Sequence, residues 1–425
     1  MALPAEKSPI IDLDTSRSHF DSLHQAAHGT VVLWERAGAN YWHKLRPGDA
    51  HIPALLAAQE GQPDRYISAN QFHGWRLVRL LKSLRACYVD VDGCTDLPRV
   101  LEALRDAQLP PPSAVVWSGR GLHLYWFVKP VPAQALPVWQ RVQDTLIKAL
   151  LAVGADPAAK DCTRVLRLVG SVNSKTGTEV RGLVLDPEPY EFRHLCDEVL
   201  GQRQPRQVAV VRDLAAARAE RGERIRTGSI YDRWHLVYRD LLAIAEYHFL
   251  GGVPHGHRDK WLFLSAVALS WFANPATLRG ELERQAQAWT GLGVLEVRKA
   301  IKGPLERAEL AAAGKLFEYD GALQDPRYKF RRETLWDWMQ PIVPRDLAPQ
   351  LRAIVSDDVR QQHKQETDAK REATRAARDR VAEGRRQSHQ VGRRKNAASE
   401  AQQKPWEALG ISRASYYRQK AANAL

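Results

Sequence analysis

An α+β or α/β domain followed by an all-helical one is the fold the sequence predicts, on three observations. Between about Arg65 and Glu191, short β-like runs alternate with helical stretches, as in Ala86–Val91, Ala114–Trp117, Leu122–Val128 and Val180–Leu185. From Ile230 to about Leu310 the apolar residues fall at helical spacing, among them Trp261, Leu264, Val267, Ala268 and Trp271. At 425 residues the chain exceeds one ordinary core, so two or three domains are expected.

A hydrophobic content of 44% with 13 Trp excludes general disorder. A net charge of +13 points to polyanionic partners, nucleic acid ahead of a membrane surface. No stretch reaches the ~20 apolar residues of a membrane span. The N-terminal MALPAEKSPIIDLD lacks the basic-then-apolar run of a signal peptide. Cys87, Cys94, Cys162 and Cys196 form no CxxC pair, which argues against a disulfide framework and a structural zinc site, and a cytoplasmic location is expected.

Taken in chain order, the first chemical signal is Tyr88-Val-Asp-Val-Asp92. On a strand, Asp90 and Asp92 project to the same face. Adjacent carboxylates repel unless a cation lies between them, and oxygen ligands favour Mg²⁺ or Mn²⁺. Alone, the pair weighs evenly against a strand running out into a polar Asp92-Gly93 turn.

The stretch Val115–Val128 reads as a β-hairpin with Gly119-Arg120-Gly121 at its turn. His123, Tyr125 and Phe127 then share one face. His123, with Ser118 and Arg120, is placed to hydrogen-bond nucleotide phosphates, although a lone histidine is more often a satisfied half-buried residue.

Gly154–Gly177 is dense in charge. Asp156 or Asp161 would complete a three-carboxylate site, and Arg164, Arg167 and Lys175 would neutralise a triphosphate. Gly170–Thr176 imitates a phosphate-binding P-loop but is one residue short, with Ser174 where the glycine before Lys belongs. Helicase activity within this chain is therefore not expected.

Gln204–Thr227 is Arg-rich and suits a connector or a mobile helix. Asp357–Ser388 alternates charge without large apolar residues, as a solvated helix or a disordered spacer does. From Asp357 onward, 16 Lys/Arg face 9 Asp/Glu, a balance of +7 within the chain's +13. Lys404–Lys420 reads as a helix-turn-helix, with Pro405 at a first helical position, Gly410 as a left-handed stop and Ser412 as an N-cap. Its second helix would present Arg413, Ser415, Tyr417 and Arg418 to DNA, with Arg393, Arg394 and Lys395 adding phosphate contacts. A terminal helical hairpin packed on the body is the plainer alternative.

In this order, the motifs resemble the archaeo-eukaryotic primase superfamily, and most of all the RepB-type primases of plasmid and phage replication. The resemblance covers roughly residues 60–195. It rests on the DxD pair at Asp90 and Asp92, Ser-Gly-Arg-Gly-Leu-His at 118–123, Ala-Asp-Pro at Asp156, and the basic run 164–175 that ends in Asn173-Ser-Lys175. The Ser–His spacing is longer than the family's short form. Arg65–Phe72 looks like the lead-in to the DxD strand. The resemblance implies an RNA-recognition-like core with a mixed sheet, and Asp90, Asp92 and Asp156 as ligands of Mg²⁺ or Mn²⁺, with Asp161 in the same signature. Ser118, Arg120, His123, Arg164, Arg167, Asn173 and Lys175 would hold the nucleotide.

It also implies a primase, or primase-polymerase, that uses NTP or dNTP on a single-stranded DNA template and works with a separate replicative helicase. The tail would meet duplex origin DNA. Gly252–Phe263 and Leu295–Ala300 resemble the helical domain that follows such cores, for which a plain helical bundle is the alternative. The expected map is a catalytic domain at 1–200, a basic linker at 201–228, a helical domain at 229–315, a charged spacer at 316–398 and the tail at 399–425.

Two other classes remain. A rolling-circle nuclease would need paired histidines and a tyrosine nucleophile. The close pair His255-Gly-His257 lies in a Pro/Gly turn rather than an apolar strand, with Tyr416 or Tyr417 as the imagined nucleophile. A non-enzymatic initiator would bind DNA through the tail alone.

Overall fold

In the computed structural model, which describes residues 11–24, 28–38, 40–201, 229–248, 252–319, 321–390 and 403–422, the side chains of 382–390 excepted, the architecture is α+β. Two units separate, 1–355 and 356–425.

The first unit is framed by a six-stranded sheet. In spatial order it runs β1 (Ile11–Leu13), β12 (Arg181–Val184), β7 (Ala114–Trp117), β8 (Leu122–Pro132), β6 (Leu81–Val91) and β5 (Gln71–Phe72). β7 and β8 are central, and β8 pairs with β6 over most of its length; β6 and β8 read as mostly apolar runs, because both of their faces are covered. Helix α4 (Leu136–Leu150) packs on β6 and satisfies its backbone where β5 has ended. There the Gln143 amide accepts from Tyr88 N–H (2.7 Å) and donates to Tyr88 O (2.9 Å).

All named strand pairs are antiparallel, where the family likeness implied a mixed sheet. The reason is topological. β6 and β7, joined through α3 (Leu97–Asp106), run the same way, but β8 returns between them, so no parallel pair is hydrogen-bonded. This is a split β-α-β arrangement of the RNA-recognition type.

A second antiparallel sheet has the order β3 (Tyr41–Leu45), β2 (Val31–Glu35), β4 (Arg65–Ser68) and β9 (Val165–Arg167). Leu33, Leu45, Ile67 and Leu166 line its buried face. A two-stranded hairpin, β10 (Val172–Asn173) with β11 (Thr178–Glu179), follows it.

The helical region holds α6 (Ile230–Tyr247), α7 (Arg258–Leu269), α8 (Pro275–Trp289) and α9 (Val294–Ala312). Ser229 and Asp232 form a capping box on α6, and Asn274 caps α8. Glu281 of α8, buried, accepts the N–H groups of Val78 and Arg79, which fastens this region to the core.

Residues 316–355, assigned by their composition to the charged spacer, continue the helical region instead. They form the hairpin β13 (Phe317–Tyr319) and β14 (Ala322–Gln324), then α10 (Arg332–Met339). Tyr328, Phe330 and Trp338 each pack against Phe263 of α7. The charges of this stretch concealed that aromatic anchor. Of the proposed linker at 201–228, residues 202–228 lie outside the described residues.

In the second unit, α11 (Asp357–Gln390) is one long polar helix. The one-turn α12 (Pro405–Ala408) then leads into α13 (Arg413–Ala422). Pro405, Gly410 (φ +64°) and Ser412, which accepts Ser415 N–H (3.2 Å), take the local positions the sequence suggested. Trp406 packs against Tyr416 and Tyr417. Among the described residues, no helix is long and apolar enough to cross a membrane.

Candidate active site

Asp90 and Asp92 leave the end of β6 on one face, while Val89 and Val91 are fully buried. Two backbones close around that strand end. On one side Asp92 N–H donates to Gly154 O (2.8 Å), and Asp156 N–H donates to Asp90 O (2.8 Å). Gly154 holds φ +100°, and a Cβ there would lie 2.3 Å from Asp92 O. On the other side, a Cβ on Gly121 would lie 2.0 Å from Val91 O. Only glycine permits either approach, and the result sets Asp156 and the hairpin tip against the carboxylate pair.

His123 is the cross-strand partner of Asp90, with Nε2 3.6 Å from Asp90 Oδ1. Burial, with Arg167 adding, pushes His123 down to about 3, so its imidazole is neutral at pH 7. Its Nδ1 has no hydrogen-bond partner among the described residues. Burial pushes Asp90 up to about 6, with Arg164 opposing and Asp156 adding to the rise. Asp92 is raised as well, by burial and then by Asp90 and Asp156.

These groups face a cleft of about 450 Å³. Asp90, Asp92, Ser118, Arg120, His123, Arg164, Arg167, Asn173 and Lys175 all line it, so the three sequence signals, the DxD strand, the β7–β8 hairpin and the charged stretch 154–177, converge on one place. Asp156 is tied to Asp90 through its backbone but does not line the cleft; its Oδ1 accepts Ala158 N–H (2.8 Å). Asp161 does line it, but its carboxylate is engaged: Oδ1 accepts from the Thr163 hydroxyl (2.6 Å), and Oδ2 lies 3.4 Å from Arg164 Nε. Asn173 serves the scaffold too. Its Nδ2 donates to Ser118 O (2.7 Å) and its Oδ1 accepts Lys175 N–H (3.0 Å), which locks the β10–β11 turn to the β7–β8 turn.

Several residues here escaped the sequence reading. Asp64 grips Arg167 Nη1 (2.7 Å) and the Ser174 hydroxyl (2.6 Å), so one carboxylate sets both the guanidinium and the Lys175 turn. Those hydrogen bonds outweigh the cost of burial and bring Asp64 down to about 2. Trp34, Arg36, Tyr66 and Arg76 form another wall, and Asn274 and Thr277 at the start of α8 a third. Asn274 Nδ2 donates to Ala158 O (3.3 Å), which ties α8 to the Asp156 loop. A hint was available for Tyr66 alone, in the flagged run Arg65–Phe72. The tail residues Arg413, Ser415, Tyr417 and Arg418 lie on α13 in the second unit, whereas Arg393, Arg394 and Lys395 lie outside the described residues.

Among the described residues, no three His, Cys, Asp or Glu side chains form a ready-made metal cage. The donor chemistry still fits a hard divalent cation. Asp90 and Asp156 make Asp92 harder to ionise, and Asp156 does the same to Asp90, a repulsion that a cation relieves; Mg²⁺ is ordinarily held by one or two carboxylates together with substrate phosphates.

No family model matches the chain. A curated "Replication protein" of Clostridium perfringens is 26% identical over 337 residues, covering 76% of each chain. Among solved structures, the primase-polymerase AEP domain of cyanophage S-2L is 21% identical and covers 44% of this chain and 96% of its own, with a TM-score of 0.34. The primase RepB′ is 16% identical over 71% of this chain and 93% of its own, with a TM-score of 0.29. Its catalytic domain, in complex with initiator DNA, is 18% identical over 50% and 100%, with a TM-score of 0.30.

Proposed function

We propose that the chain is a replication primase of the archaeo-eukaryotic type, a nucleotidyltransferase that joins nucleotides on single-stranded DNA. The observation that carries this reading is the paired carboxylates Asp90 and Asp92, set at a strand end and facing a cleft walled by Arg and Lys. The curated relative's name, a replication protein, accords with it.

In this reading a primer hydroxyl attacks the α-phosphorus of a bound triphosphate, and pyrophosphate leaves. Phosphoryl transfer depends mostly on positioning and charge neutralisation, which is the chemistry this cleft supplies. Asp90 and Asp92, with Asp156, would hold Mg²⁺ or Mn²⁺, which supplies Lewis-acid neutralisation of the phosphates. Arg164, Arg167 and Lys175 balance the triphosphate's charge, with Arg167 fixed by Asp64. Neutral His123 donates a hydrogen bond to a phosphate oxygen without adding charge. Ser118 and Arg120 border the same space. The tail raises local DNA concentration through phosphate contacts.

The direct test mixes the protein with single-stranded DNA, labelled nucleotides and Mg²⁺ or Mn²⁺. Short new oligomers are expected. Their absence with every nucleotide set and both metals would remove the catalytic reading.

A further inference from the structure

One wall of the cleft extends beyond it. Trp42, Trp34, Tyr66 and Arg167 are direct cross-strand partners, one from each of β3, β2, β4 and β9. They make a single row across the whole four-stranded sheet. Trp34 and Trp42 stack at 4.7 Å and 2°, Tyr66 follows Trp34 at 5.2 Å, and Arg167 lies 5.0 Å over Tyr66. At ~4.8 Å per strand the row spans about 14 Å. Trp75 continues it, edge-on to Trp42 at 5.6 Å.

Cations accompany these rings. Arg76 sits 4.3 Å over Trp42, Arg36 5.8 Å over Trp34, and Lys44 5.5 Å over Trp75. Among the described residues, no carboxylate pairs with Arg36, Lys44 or Arg76 within 4.0 Å. The sheet's other face is core, whereas Trp34, Trp42, Tyr66 and Trp75 stay half-buried. Half-buried aromatics interleaved with cations that have no carboxylate partner are the composition of a single-strand binding surface, where bases meet rings and phosphates meet Lys and Arg.

We propose that this row is the track of the single-stranded template, leading bases from Trp75 and Trp42 toward Tyr66 and the carboxylates. The reach of the row selects a strand over a single nucleotide. Trp34 and Tyr66 line the cleft, but Trp42, Trp75 and Lys44 lie outside it, beyond what one bound triphosphate needs. The rings already stack on one another, so bases lie across their open side rather than between them. This assignment rests on reading the cleft as a site of nucleotidyl transfer on DNA.

The test uses the full chain and two oligonucleotides of equal length, oligo-dT and the same backbone with a central abasic run. Phosphate contacts, including those of the tail, are common to both, so the ratio of their Kd values isolates base contacts. The wild type is expected to bind the abasic strand about five- to a hundredfold more weakly. In Trp42→Leu that ratio should fall toward one, with the thermal transition retained. Because Trp42 also packs on Trp34 and Trp75, a second measurement uses unaltered protein. An oligonucleotide carrying one 5-iodouracil is irradiated, and the cross-linked peptide is identified. Attachment within 31–45, 66 or 75 supports the track; attachment only elsewhere, or equal wild-type affinity for both strands, overturns it. Neither readout requires synthesis, so an inactive protein that cross-links here would refute the enzymatic reading and spare the track.

Discussion

The backbones of Asp90 and Asp92 are held by the 154–156 loop, which fixes where their carboxylates start. Removing either takes away one carboxylate of the proposed metal site but leaves every basic surface intact. Asp90→Ala and Asp92→Ala should each lower nucleotide incorporation at least ~100-fold, beyond the usual cost of losing a residue that merely supports a ligand. Single-stranded DNA affinity should be unchanged; wild-type synthesis by either variant in Mg²⁺ would remove the metal assignment. The two candidate third acids differ in what already occupies them. Asp156 is pinned beside Asp90 through its own backbone, raises that carboxyl and has one oxygen engaged, by Ala158 N–H, whereas Asp161 has one oxygen on Thr163 and the other beside Arg164. Asp156→Asn should therefore cut turnover, and Asp161→Asn should mainly raise the KM for nucleotide. The reverse ranking in equally stable proteins would transfer the role to Asp161. The pair itself was legible because period-two alternation puts residues 90 and 92 on one face whatever the tertiary structure. Asp64 was not, since it acts across 103 residues on Arg167 and carries no local motif.

Elements carry the coupling between core and helical region, and α8 is the clearest case. Its Glu281 is buried against the Val78 and Arg79 amides, and burial pushes its carboxyl up from 4.5 to about 7. The folded state thus binds this proton more tightly than the unfolded one. Its stabilising contribution is full below pH ~4.5 and is lost as pH rises through about 7, a swing of roughly 3 kcal/mol at most. Glu281→Gln should flatten that part of the stability profile between pH 5 and 8, as followed by urea unfolding at each pH. An unchanged slope would show that Glu281 is ionised throughout. At this scale β6, the β7–β8 hairpin and the helical periodicity of 230–310 could be read locally. The β3–β2–β4–β9 sheet could not. Its row joins residues 34, 42, 66 and 167, and only long-range register brings them together. The β13–β14 and α10 stretch misled for a related reason: its anchors are single aromatics scattered among charges, a pattern with no helical period.

Across the whole molecule the division falls between Val355 and Ser356. Every proposed ligand and nucleotide contact lies before that point, and a +7 charge balance with the α12–α13 hairpin lies after it. If the first unit is a self-sufficient catalyst, a chain stopped after Val355 keeps its chemistry and loses only a means of staying near DNA. It should still make oligomers on saturating single-stranded template. Its affinity for duplex should fall strongly at ~150 mM salt, because Lys/Arg–phosphate attraction carries sequence-independent binding and is salt-sensitive. Both quantities are measured on the same folded fragment, so one preparation separates the two ideas. Lost synthesis would place the tail in the active site and void the division of labour. Unchanged duplex binding would make Lys404–Lys420 a packing element in which Trp406 anchors Tyr416 and Tyr417, with Arg413 and Arg418 merely solvated. Loss of duplex binding with synthesis retained is the outcome that a core catalyst with an appended DNA anchor requires.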